Sequence, residues 1–179
     1  MKKNNALLLW LISGLVALGG LLLLPRTHLR KGTGPSALEL FWRAESGESI
    51  PPQEIQKLIQ QISDTDATNY PPAVALLLIH GSLPEGTPPM LYIQRLRQIE
   101  TPCARAYLGR LAWHTGQTDK AWTYWKEATA CPEVRVFLAW AYLQIGRPDS
   151  ACFVLQSSPP LPPAAQLYRE KLQARAHCP

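Results

Sequence analysis

The residues of this 179-residue chain that are able to do chemistry are four cysteines, four histidines and a scatter of carboxylates. Cys103, Cys131, Cys152 and Cys178 form no CxxC, which removes the adjacent-dithiol motif and the paired-knuckle zinc site, and no CxxCH, which removes covalent haem. His28, His80, His114 and His177 stand apart, and none has a second ligand three or four residues away on a shared helical face, so they do not read as a metal site. His80 and His114 fall just before a glycine, where an imidazole suits the negative end of a helix. There is no nucleophile motif, no glycine-rich phosphate loop and no HExxH. Glu48, Glu54, Glu100, Glu127 and Glu133 are spread along the chain with nothing local to pair two of them, and each reads as a solvated helix residue. No residue pattern argues for an enzyme or a cofactor. Thiol pairing and binding remain.

The elements that would position these groups begin with an apolar run. Lysine and arginine number 18 against 13 acids, yet Lys2, Lys3, Arg26, Arg30 and Lys31 all flank that run, and setting them aside leaves 13 against 13. A body without basic excess argues against a nucleic-acid partner. Ala6 to Leu24 is uncharged over 19 residues, which at about 1.5 Å per residue is nearly the depth of a roughly 30 Å hydrocarbon layer. Ala17-Leu18-Gly19 resembles a signal cleavage site, but the apolar run continues beyond it, and no cysteine follows for lipid attachment. Residues 1–31 therefore read as a signal-anchor with one transmembrane helix over 6–24. Its two flanks nearly tie in positive charge. The five residues before the run need no translocation if they stay inside, which puts the body outside the cytoplasm.

Residues 32–71 hold a linker and two helices. Ser36 caps SALELFWRA, whose Leu38, Phe41 and Trp42 share a face that either packs on the body or lies on the bilayer. Pro51 and Pro52 open a helix through Ser63 with the stripe Ile55, Leu58, Ile59 and Ile62, and a polar loop follows. Further on, Leu108, Leu111, Ala112 and Trp113 form one helical stripe, and Ala121, Trp122, Trp125 and Ala128 form another beyond Gly116. Thirty residues later Gly146 repeats Gly116, Leu138 repeats Leu108, Ala151 repeats Ala121, and Pro162-Pro163 closes the copy as Pro132 closed the first. A degenerate copy precedes them, AVALLLIHG ending at Gly81 and a second helix from Met90 to Ile99, with SLPEGTPP inserted between. No run reads as a strand, so the class is all-α.

This pattern of Leu-Gly, Gly, Ala, aromatic, Ala and Pro resembles the tetratricopeptide repeat, a helix-turn-helix unit of about 34 residues. The resemblance covers 72–163 and implies a short α-solenoid of helical hairpins, with 164–179 as a capping helix. In antiparallel hairpins the start of one helix lies beside the end of the next, which sets Cys103 against Cys131 and Cys152 against Cys178. Each disulfide would stabilise by roughly 3–4 kcal/mol in the chain-entropy model, and both imply an oxidising compartment, periplasmic or lumenal. Four separate buried thiols are the alternative.

In the family, the first helix of each pair lines a concave groove. Its positions here are Ala106, Arg110, Trp113 and His114 in one copy and Val136, Trp140, Leu143 and Gln144 in the next. Two indoles and an arginine suit a peptide; the alternative is that the indoles are core. The family's clamp of Lys, Asn and Arg is absent. The expectation is a membrane-anchored protein–protein interaction module, an adaptor or accessory subunit of a membrane or envelope complex, with a membrane-associated protein partner. The alternatives are a biogenesis factor holding exported clients and an envelope-polymer enzyme with an unrecognised site.

Overall fold

Proline and glycine set the boundaries of the elements. The computed structural model describes residues 35–81, 83, 86 and 88–179. Among these the chain forms nine α-helices and no strand: α1 (Ala37–Glu45), α2 (Pro52–Gln61), α3 (Tyr70–Ile79), α4 (Pro89–Gln98), α5 (Pro102–His114), α6 (Thr118–Glu127), α7 (Val134–Gln144), α8 (Pro148–Gln156) and α9 (Pro163–Ala176). Six of them, α2, α3, α4, α5, α8 and α9, carry proline in their first two positions, where its missing N–H leaves no intrahelical bond unmade. Ser36 and Thr101 cap α1 and α5 by accepting the N–H of Glu39 and Ala104. Helix α3 starts at Tyr70, two residues ahead of the expected repeat boundary at 72, where Asp66 accepts the N–H groups of Thr68 and Asn69 and turns the chain. The helix expected through Ser63 ends at Gln61 and tightens into a 3₁₀ turn over Ile62–Asp64.

Helices α5 and α7 end alike. Gly116 and Gly146 adopt φ of +77° and +71°. Gly116 donates to the Trp113 carbonyl and Gln117 to that of Ala112; Gly146 donates to Leu143 and Arg147 to Tyr142. Both are Schellman turns, which satisfy orphan carbonyls and need a left-handed residue. They fold α5 onto α6 and α7 onto α8, the two tightest helix pairs. Inside the first hairpin Trp125 donates from Nε1 to the Ala106 carbonyl at 3.0 Å. Its indole lies so close to Gly109 that a Cβ there would stand 2.4 Å from Nε1.

Helix α1 carries the two largest aromatic side chains of its stripe into the core. It packs against α3 and α9, and α3 packs in turn against α5. Phe41 and Trp42 are 0% exposed. Phe41 meets Tyr107 of α5 edge-on at 5.1 Å, while Trp42 stacks on Phe137 of α7 at 5.2 Å and leans on Tyr168 of α9 at 5.5 Å. Burying each such ring stabilises by about 1.5–3 kcal/mol. Of the two placements open to Phe41 and Trp42, the structure takes the body rather than the bilayer. None of the described helices is long and apolar enough to cross a membrane, and the expected span over 6–24 lies outside the described residues.

Candidate functional site

The groove positions divide sharply. Ala106 and Val136 are 0% exposed, and Arg110 is 6% exposed. Arg110 donates from one terminal nitrogen to both carboxylate oxygens of Glu45, at 2.9 and 3.2 Å, while its guanidinium lies 4.2 Å over the Trp140 ring. The Glu45 side chain is 4% exposed, and His80 Nε2 approaches its carboxylate at 3.4 Å. Those inner positions are thus buried within the chain, and Arg110 is an internal ion-pair partner of Glu45 in α1. Trp113, Trp140 and Leu143 are half-buried; His114 and Gln144 are exposed. Trp113 joins a cluster with Trp122, Trp125 and Trp140 at centroid distances of 5.9, 5.8 and 5.7 Å. Burial and the neighbouring Arg110 and His80 hold His114 below the ordinary imidazole value, favouring its neutral form.

Glu45 was not singled out in the sequence. One signal pointed to it: an acid is the last residue of α1, the end at which the helix dipole disfavours negative charge. Such a carboxylate needs a partner, and Arg110 is it.

An open concavity lies on another side of α5. A cleft of about 580 Å³ is walled by Leu77 and Leu78 of α3, Met90 and Ile93 of α4, and Leu108 and Leu111 of α5, with Arg97, His114 and Lys120 among its lining. Where α5 and α7 turn into their partners through three residues, Ile79 and Pro89 are separated by nine, and α4 begins late. Among the described residues no carboxylate lines the cleft. Met90, part of that lining, is 51% exposed, leaving apolar surface at its mouth.

The cysteines meet in the expected pairs. Cys103 is bonded to Cys131 and Cys152 to Cys178, with Cα–Cα distances of 4.8 and 5.3 Å. Cys131 lies in the link after α6, and Cys178 follows His177, the one non-glycine residue with positive φ among those described. Glu133, read from sequence as a solvated residue, is instead 7% exposed, with Oε2 lying 3.0 Å from Cys131 Sγ and 3.6 Å from Cys103 Sγ. Burial raises its carboxyl above the usual carboxylate range, opposed by its own backbone N–H. Bonded to each other, the two sulfurs offer no thiolate to a metal.

No protein-family model, no curated protein and no solved structure matches this chain.

Proposed function

We propose that the chain is a membrane-tethered interaction module of tetratricopeptide-like hairpins, whose α3–α6 cleft receives an apolar partner segment bearing carboxylates. The cleft carries this reading. It is apolar along its walls and cationic at Arg97 and Lys120, and it stays open where the inner positions Ala106, Arg110 and Val136 are buried. An occupant needs apolar side chains for the Leu77–Leu111 wall and negative charge for the rim. Desolvated apolar anchors supply affinity, and rim charges supply orientation and association rate. The repeated Schellman turns at Gly116 and Gly146 support the hairpin-repeat reading. The uncharged run Ala6–Leu24 supports a tether, and two disulfides support an oxidising compartment, periplasmic or lumenal.

The test is site-specific photo-crosslinking in intact membranes. A crosslinker at Met90 captures one defined partner; the same group at Arg175, an exposed residue of α9, does not. Reversing Arg97 and Lys120 to Glu abolishes the Met90 adduct while the thermal melt is kept. Equal capture from Met90 and Arg175, or a Met90 adduct indifferent to charge reversal, overturns the cleft as the binding site.

A further inference from the structure

The two disulfides close loops of similar size, 28 and 26 residues apart in sequence, but differ in environment. At Cys152–Cys178 the neighbouring polar atom is the Ala176 carbonyl oxygen, 3.7 Å from Cys152 Sγ. At Cys103–Cys131 it is a buried carboxyl. A disulfide has no proton to give, so Glu133 is served by neither sulfur while the bond is intact, its own backbone N–H is the donor beside it, and burying a carboxyl so thinly served is costly. The group gains a partner among the sulfurs when Cys131 is released as a thiol or thiolate. The ionisable groups facing Glu133 are the two sulfurs and the Tyr107 hydroxyl of α5, which burial and the Glu133 charge raise well above its ordinary range. Among the described residues no cationic side chain opposes the effect of burial on the carboxyl.

The two sulfurs are also unlike each other. Cys131 is 1% exposed, while Cys103 is half-buried at the second position of the 13-residue α5. The first turn of a helix favours a thiolate. One cysteine is accessible and placed to leave as an anion; the other is enclosed beside a proton source.

We infer that Cys103–Cys131 is a thiol–disulfide exchange site for protein dithiols, in which Cys103 receives the incoming thiolate and Glu133 protonates Cys131. A substrate thiolate attacks Cys103 Sγ, forming a mixed disulfide. The Cys103–Cys131 bond breaks, its electron pair leaves on Cys131 Sγ, and that sulfur takes the Glu133 proton. The substrate's second thiolate then attacks its own sulfur in the mixed disulfide and expels the Cys103 thiolate at the start of α5. The substrate loses two electrons and becomes a disulfide, and the Cys103–Cys131 pair becomes a dithiol. The two protons shed by the substrate are replaced from solvent, on the Glu133 carboxylate and the Cys103 thiolate. The absence of CxxC does not exclude this, because the hairpin supplies the proximity that adjacent residues supply in that motif.

The experiment uses the full oxidised chain in detergent, treated with limiting dithiothreitol at pH 7 and sampled by alkylation and peptide mapping. Cys103–Cys131 opens first, with helicity retained and the mixed disulfide trapped on Cys103. Glu133→Gln slows that opening by roughly tenfold or more, while Cys152–Cys178 in the same molecules keeps its rate. Opening of Cys152–Cys178 first, or of both bonds together with loss of helicity, overturns the inference, and this comparison needs no variant. So does a Glu133→Gln chain that is folded and opens at the parental rate.

Discussion

Replacing Arg110 with alanine tests whether α1 is docked on the α5–α6 hairpin. The Arg110–Glu45 pair joins residues 65 apart in the chain at 2.9 Å, with side chains 7% and 4% exposed. At that burial, removing one partner leaves an uncompensated carboxylate in a poorly polarisable site, which typically costs 3–5 kcal/mol. The stacking of the guanidinium on Trp140 is lost as well, roughly a further 0.5–2 kcal/mol. The His80 imidazole 3.4 Å away takes up part of the unpaired charge when protonated. A net loss of about 3 kcal/mol is expected, which for a domain of this size lowers Tm by roughly 6–12 °C. The assay is a far-ultraviolet circular dichroism melt of the full chain in detergent, with Arg110→Ala, Glu45→Gln and the double variant completing a cycle. The double variant recovers much of the single loss, since no buried charge is then left unpaired, and the coupling exceeds about 1 kcal/mol. If Arg110→Ala melts within a degree of the parent, or the two replacements add without coupling, α1 is not docked on that hairpin.

Other perturbations probe other parts of the fold. Gly109→Ala places a methyl 2.4 Å from Trp125 Nε1; the indole must shift and its bond to Ala106 weakens, so a loss of about 1–3 kcal/mol is expected by urea titration, and an unchanged midpoint refutes the close approach. Ala121→Leu and Ala151→Leu, at sites 0% exposed inside the two hairpins, each cost about 1–3 kcal/mol by overpacking, whereas Leu at exposed Ala130, in the link after α6, is close to neutral. Because burial raises the Glu133 carboxyl above its ordinary 4.5, the folded chain holds that proton more tightly than the unfolded one. Its contribution to stability is complete below pH 4.5 and is lost as pH rises through the folded value. Glu133→Gln should therefore match the parent at pH 4.5 and exceed it at pH 8, as read from urea midpoints, and a pH-independent difference refutes the burial argument.

What the sequence determined is local. Proline at helix starts and glycine at Gly116 and Gly146 act through a single residue's φ and its own N–H, so helix ends were legible to within a few residues. The disulfide pairing was legible for a related reason: a hairpin closed by a three-residue turn leaves little freedom in what lies beside what, and Cys103 and Cys131 follow from its antiparallel sense. The all-α class followed from the 3.6-residue period of the apolar stripes.

Only the tertiary structure decided which surfaces were covered. Helix α1 reads in sequence as an amphipathic segment with two open placements, and nothing in residues 37–45 names Tyr107, Arg110 and Phe137 as its neighbours. The expected groove residues Ala106, Arg110 and Val136 keep the same spacing whether a partner or the chain itself lies on them, because spacing along a helix fixes a face and not its occupant. The cleft beside α4 depends on where a delayed helix comes to rest, which its own composition does not encode. Glu133 looks like any acid at a helix start until Cys131, α5 and α7 close around it, since burial is a property of everything that surrounds a residue.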